Sequence, residues 1–349
     1  DLGAGGEIVN WEGSFDEFTN ANAFTVRADN GIILGLWEAH YEVINRANAI
    51  IENTSTEIEG LSQDDVDRIV GQAKFIRADM YFNLVRWFGE SFEAGETNDQ
   101  PGVPLRTTPV LSVEDTGPEP RAPVGEVYTQ IRNDLEDATS RLEINGSPTR
   151  AGRLAATAEL AIVSLYQGRY EEADSLAETV VDDGPFQLSG GVLNPYVNEA
   201  SAEIIFAVSF SAIDNSGVNA HPGAFYLPSA RGGRGEAFPS ALFQQESAQG
   251  DIRTGIGEVD ADSLFYLFGD PPRPRTNKWT NPNLGDDYTL LRVSEMFLVR
   301  AEALARLGDE AEAREYVNAI RNRAGLDDVD PSLSGQALID EIIRQRRFE

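Results

Sequence analysis

Apolar positions in the stretch LLRVSEMFLVRAEALARLGDEAEAREYVNAIRNRAGL, Leu290 to Leu326, recur with helical spacing on both sides of Gly308-Asp309. The pattern predicts two helices joined by a tight turn, the first apolar on nearly every side. Leu36 to Asn53 places Trp37, Tyr41, Ile44 and Asn48 on one helical face, with Ile51 close by. Ser62 is the expected N-cap of the next helix, with Asp64 and Asp65 in its first turn. Ile69, Ala73, Ile76, Met80, Leu84 and Trp87 form its apolar stripe, and Gly89 ends it. Residues 90–123 are rich in Gly and Pro and read as an extended segment. Helices are expected at about 124–144 and 150–168, and a third after Gly168. From 184 to 289 the periodicity disappears. One clear strand, AEIIFAVSF, stands among long loops rich in aromatic residues, and helix returns at 290.

The chain carries a looser copy of its C-terminal helix pair. Aligning Gly168 with Gly308 places Ala161 on Ala301, Ala173 on Ala313, Leu176 on Tyr316, Ala177 on Val317 and Val180 on Ile320. Small residues let two helix backbones approach closely, and a glycine at the turn permits the left-handed conformation that ends the first helix. This is the pattern of tetratricopeptide-like pairs, in which a helix is covered by its partner and its neighbours. The copies lie too far apart for a regular solenoid. The expected fold is therefore mainly α: helix pairs at about 36–89, 124–183 and 290–349 form a scaffold, and a loop-rich insert with short strands fills 184–289. All of 1–349 reads as a single domain.

Composition narrows the function. Apolar residues make up 41% of the 349, enough to build a core. No apolar run reaches the length of a membrane span, and the N-terminus shows no signal peptide. With no cysteine, disulfides, thiolate metal sites and cysteine nucleophiles are excluded. Asp and Glu number 58 against 28 Lys and Arg, a net charge of −30, which disfavours nucleic acid and anionic lipid surfaces as partners. Lys74 and Lys278 are the only lysines. An acid-rich, lysine-poor surface suits high salt, where the Debye length falls to about 3 Å at 1 M and self-repulsion is screened; we read it as halophilic adaptation.

Several segments resemble the SusD/RagB family of outer-membrane nutrient-binding lipoproteins. Residues 290–326 are similar to that family's C-terminal hallmark. QAKFIRADMYFNLVRWFGE resembles its central helix, and YEVINRANAIIEN the helix before it. FPSALFQQESAQGDIRT, with Asp251 and Arg253, and TNKWTNP are similar to segments ahead of its final helices, and IIRQRRFE to its ending helix, past which the family usually continues. The matches run from about 36 to 349 in the family's order. The resemblance implies a non-enzymatic protein on the outer face of the outer membrane. It would be a lid on a SusC-like TonB-dependent transporter that captures oligosaccharides or, in some members, peptides. It also implies lipid anchoring through a cysteine that this chain does not contain.

No catalytic constellation stands out, and no cofactor or resident metal is expected. A Ser–His pair can be drawn from Ser229 and His221, but only on paper. Paired carboxylates are too common here to mark a glycoside hydrolase. Glu258, Asp260 and Asp262 alternate as calcium ligands would, although a solvated acidic loop explains them equally. Sugar recognition needs flat apolar platforms beside planar hydrogen-bonding groups. Among the loop aromatics Trp11, Phe225, Tyr226, Phe265, Tyr266 and Trp279, and the polar residues Asn219, Arg231, Arg234, Asn277 and Lys278, the candidate ligand set is Trp11, Tyr226, Arg231, Arg234, Asn277, Lys278 and Trp279. Trp37 and Trp87 sit on helical stripes and are assigned to the core, as are Phe265 and Phe268. The competing classes are a tetratricopeptide-type protein-interaction scaffold and, behind it, a glycoside hydrolase.

Overall fold

The structure, a computed structural model, describes residues 8–349 except 28, 55–57, 113, 114, 116, 145, 146, 247, 248, 258–263, 270 and 271. The first elements are β1 (Val9–Trp11), α1 (Asp16–Asn22), α2 (Gly31–Asn53) and α3 (Gln63–Phe88). The short strands β2 (Pro101–Pro104) and β3 (Arg121–Pro123) precede α4 (Val124–Arg141), α5 (Arg153–Tyr166) and α6 (Tyr170–Asp183). The insert holds α7 (Asn194–Val197), β4 (Ile204–Val208), α8 (Pro222–Tyr226), β5 (Ala237–Pro239), α9 (Ala241–Gln245), β6 (Ile256–Gly257), β7 (Phe265–Phe268), β8 (Arg273–Thr276) and β9 (Tyr288–Arg292). The chain closes with α10 (Val293–Leu307), α11 (Glu310–Arg323) and α12 (Gln336–Phe348). The fold is mainly α, with sheets of two or three short strands. It divides into two compact units, Gly35–Pro185 and Asp1–Leu34 with Phe186–Glu349.

In the unit Gly35–Pro185, α3 packs on α4, α4 on α5, and α5 on α6. Ser62 caps α3 in a capping box with Asp65, whose carboxylate returns the bond to the Ser62 backbone. The buried face of α3 differs from the apolar stripe. Ile76 is 38% and Trp87 54% exposed, whereas Arg77, Ala78, Tyr81 and Phe82 are buried. The face is turned because Arg77 holds its centre. Its guanidinium grips Asp134 of α4 through Nε at 2.8 Å and Nη2 at 2.7 Å, and reaches Asn48 Oδ1 of α2 at 2.7 Å. Trp87 falls in the last turn, beyond that face, edge-on to His40 at 5.6 Å. Trp37 is only half-buried, against Phe88 and Tyr41. Neither tryptophan belongs to the core as expected.

The extended segment after β2 has few backbone partners of its own kind, so side chains from α2 and α3 satisfy it. Tyr41 donates to the Pro104 carbonyl at 2.7 Å. Asn48 donates to the carbonyls of Arg106 and Thr108 at 3.1 and 3.2 Å, and Asn45 exchanges two bonds with Val110. Buried backbone groups must be paired, and polar residues on an otherwise apolar helix face do it here.

Asp79 of α3 is half-buried and Glu159 of α5 buried, and the two carboxyls interact. Burial, with Asp79 adding to it and Arg86 opposing, pushes Glu159 up to about 8. Burial also raises Asp79, against Arg86, Asn83 and His40. A raised carboxyl penalises the folded state increasingly as pH climbs from the ordinary 4.5 through about 8. Glu159→Gln should therefore stabilise the protein by about 2 kcal/mol at pH 8, a gain that fades by pH 4.5. Urea melts at both pH values test this; a variant equally or less stable at pH 8 would contradict it.

The other unit answers why α10 can be apolar nearly all round. Leu298, Ala301 and Leu304 of α10 are packed with Ala313, Val317 and Ile320 of α11 and with Leu338 and Ile342 of α12. The repeat alignment holds in three dimensions: Gly168 and Gly308 both take left-handed backbone, at φ of 71° and 94°. Ala161, Ala301, Ala173, Ala313, Ala177, Val317, Val180 and Ile320 are all 0% exposed. Leu290 to Arg292, however, are strand rather than helix. β9 pairs antiparallel with β4, and the Val293 N–H bonds to the Glu203 carbonyl at 2.9 Å, so the helix starts only at Val293. A short apolar run is compatible with either state, and sheet pairing chose between them. The N-terminal segment also joins the insert: β1 pairs with β5, Val9 opposite Pro239 and Trp11 opposite Ala237.

Candidate ligand-binding site

A cavity of about 510 Å³ lies within the unit formed by the N-terminal segment, the insert and the C-terminal helices. Its walls come from elements remote in sequence: β1 and α1, Tyr196 of α7, Tyr226 of α8, the Lys278-Trp279 turn after β8, Tyr288 of β9, and the end of α12. The antiparallel pairing of β7 with β8 sets Phe265 opposite Thr276 and delivers the next residues to the cavity.

Trp279 is the central surface. It is 9% exposed and lies parallel to Tyr288, with ring planes 4° apart and centroids at 5.9 Å. Its other neighbour is His221, edge-on at 5.7 Å. His221 is wholly buried and caps α8: Nδ1 accepts the Gly223 N–H at 3.0 Å, which puts the proton on Nε2, facing the Asp286 carbonyl at 3.3 Å. Both ring nitrogens are thus engaged in structure, and Ser229 lies exposed in a 3-10 turn. The paper Ser–His pair is not a catalytic arrangement. Tyr226 lines the cavity with its phenol pushed up to about 12 by burial and by Tyr288 beside it.

At one end of the cavity, Lys278 Nζ donates to Tyr196 Oη at 3.0 Å and stands 4.2 Å from the centre of its ring. Burial alone would raise the Tyr196 phenol, but Arg292 and Lys278 outweigh it and hold it below its ordinary value. Behind this wall lies a buried ionic cluster, in which Arg323 Nε and Glu349 Oε2 make no hydrogen bond. Glu203 bonds Arg292 at 3.0 Å and Arg323 at 2.7 Å, Glu349 bonds the same two arginines, and Arg253 is held by Asp251 and Gln345 at 2.7 and 2.6 Å. Glu349 is driven down to about 2; burial opposes this, but Arg292 and Arg323 prevail.

Of the seven residues expected from the sequence, the cavity gathers Tyr226, Lys278 and Trp279. Trp11 is buried one layer away, packed on Phe18 and Phe225 at 4.7 and 5.5 Å. Arg234 is tied to Glu236, Asn219 and Ser14, and Arg231 leans on Tyr266 at 5.7 Å. Asn277 is fully buried, its N–H bonded to the Leu264 carbonyl at 2.8 Å. Phe265 is in the core, whereas Phe268 is half-buried. Sequence reasoning missed Tyr196 and Tyr288. Tyr288 could have been found from the alternation in YTLLR had that run been read as a strand; Tyr196 carries no such signal. Glu258, Asp260 and Asp262 lie outside the described residues. Among the described residues, no group of three or more His, Asp or Glu is arranged to hold a metal. No described helix is long and apolar enough to cross a membrane.

A second pocket of about 420 Å³ lies in the other unit, between Trp37, Tyr41, Asn45 and Asn48 on one side and Pro104, Arg106 and Val110 on the other. Tyr41, Asn45 and Asn48 spend their hydrogen bonds on holding the extended segment, and the charged lining residues are Glu42, Arg106 and Glu119.

Paired helices carrying an irregular, aromatic-lined cavity define a helical-scaffold binding protein. Residues 9–165 match a family model described as "Starch-binding associating with outer membrane", and residues 270–349 match one described as "SusD family". The chain belongs to the SusD/RagB family. It is 27% identical to SusD-like protein P2 of Formosa agariphila, over 97% of this chain and 73% of that protein. With SusD-like protein P38 of the same organism it shares 25% over 90% of this chain and 69% of the relative. Among solved structures, it superposes on a putative sugar binding protein from Bacteroides vulgatus with a TM-score of 0.84 at 25% identity, covering 100% of this chain and 78% of that one. A SusD-like carbohydrate binding protein from Bacteroides vulgatus gives 0.82 at 21% identity, over 99% and 74%.

Proposed function

We propose that this chain is a cell-surface glycan-binding protein that captures oligosaccharide and passes it to a TonB-dependent outer-membrane transporter. Binding, without catalysis, is its task. The observation that carries this reading is the parallel Trp279–Tyr288 ring pair in a cavity that also presents Tyr226 and Lys278. Sugar rings offer apolar C–H faces to such platforms, while hydroxyls take up hydrogen bonds from the rim. Family membership and the names of the relatives favour sugar over peptide.

The protein would sit on the outer face of the outer membrane, lipid-anchored, with its helical scaffold toward a SusC-like partner and its irregular segment toward ligand. Ligand would favour the closed assembly by population shift, because only there do both surfaces touch it. The acid-rich surface fits a saline exterior.

Calorimetry against a panel of oligosaccharides in molar salt tests the reading. At least one glycan should bind, and Trp279→Ala should weaken it by about tenfold, the loss of one aromatic contact. Binding of peptides but of no sugar would move the ligand class. A pulldown that recovers no barrel protein would remove the transporter role.

A further inference from the structure

Lys278 is anomalous in this chain. Acidic side chains outnumber basic ones 58 to 28, yet no carboxylate among the described residues lies within 4.0 Å of its ammonium. Its side-chain contacts are the Tyr196 hydroxyl and ring. The Tyr196 proton is directed to the main-chain oxygen of Glu349 at 3.3 Å, so the phenol oxygen is an acceptor for one of the three ammonium N–H groups. The same cavity is walled by Arg253 and Arg347, each with a carboxylate partner in Asp251 and Glu246. Among the described residues its one acidic wall residue is Glu349, whose Oε1 is committed to Arg292 and Arg323 and whose Oε2 lies 3.6 Å from Arg253.

A half-buried cation without a counter-charge is expensive to cover further. A neutral sugar seated over Lys278 would strip water from the ammonium and return only neutral acceptors. An anionic group would supply the missing charge and take up the remaining donors in charge-assisted bonds. We propose that the Lys278 end of the cavity is an anion subsite, and that the glycan it takes is an acidic one, bearing carboxylate or sulfate. This rests on the glycan-binding reading above and adds the ligand's charge to it.

The test is calorimetry on the full chain in about 1 M NaCl, where the Debye length of about 3 Å screens general repulsion from the acidic surface. The probes are oligomers of galacturonate, mannuronate and glucuronate, each beside its carboxyl-reduced neutral form, and sulfated galacto-oligosaccharides beside their desulfated forms. At least one acidic oligomer should bind about tenfold more tightly than its neutral twin. The uronate and sulfate arms identify which anion is read. Lys278→Met should abolish the preference, so that acidic and neutral twins bind alike; Lys278→Arg should keep it. Melting curves of both variants control for folding. Equal binding of acidic and neutral twins, or equal weakening of both by Lys278→Met in a folded protein, overturns the anion subsite while glycan binding stands. Failure of every sugar to bind overturns both.

Discussion

Arg77→Leu should destabilise the protein by about 3–5 kcal/mol, because it leaves Asp134 as a buried charge with its counter-ion removed. The side chains of Arg77 and Asp134 are only 5% and 1% exposed, and the pair is bidentate. The loss reaches further than the pair. Arg77 also holds Asn48, which in turn holds the carbonyls of Arg106 and Thr108, so the extended segment should loosen with the helices. The double variant Arg77→Leu with Asp134→Leu should recover much of the stability, since an apolar pair of similar volume carries no desolvation cost. Urea denaturation of the four proteins measures both effects. A single variant that loses under 1 kcal/mol, or a double that loses as much as the sum, would overturn this account.

The second large effect belongs to Glu203 and depends on pH. Its carboxylate is 0% exposed and bonds Arg292, Arg323 and the Ser189 hydroxyl, the last at 2.6 Å. Burial acts to raise Glu203, but Arg323 and Arg292 prevail and hold it below the ordinary 4.5. A depressed carboxyl contributes stability that is present above its unfolded value and is lost as pH falls through its folded value. Glu349, at about 2, follows the same rule. Glu203→Gln, which keeps the shape and removes the charge, should cost about 3 kcal/mol at pH 7. The difference from the parent should narrow as pH drops below about 4.5 and on through the lower folded value of Glu203. Melts across pH 2–7 decide it; a gap that stays constant with pH would mean the charge is not what stabilises the cluster. Glu159 runs the opposite way, losing stability as pH rises, so the two substitutions give pH profiles of opposite slope.

The helix pairs were legible because their determinants are local. Ser62 and Asp65 cap α3 through atoms three residues apart, and Gly168 and Gly308 turn the chain within a single residue. The periodic small residues that let α10 meet α11 are visible in one stretch. Where the stripe on α3 misled, a charged residue stood at the centre of the buried face: no hydropathy pattern can anticipate that Arg77 will meet Asp134, 57 positions along the chain. Leu290 to Arg292 misled for a related reason, since a strand needs a partner and β4 comes from far upstream.

The candidate site was half legible. The aromatic residues and Lys278 of the insert could be picked by type, and three of those picked, Tyr226, Lys278 and Trp279, line the cavity. What local sequence determined by itself is the mainly α class, the helix pairs with their turns and the excess of acid, all set by neighbours a few residues apart or by composition. What only tertiary structure decided is which rings line the cavity and which cations have no described carboxylate within ion-pair reach. Trp11 was withdrawn into the core by pairing with β5, Tyr196 and Tyr288 were brought to the cavity from two separate elements, and Lys278 was set against a phenol with no described carboxylate within 4.0 Å. Such relations depend on burial and on contacts between remote segments, where the energy of a charge or a ring is set by what surrounds it.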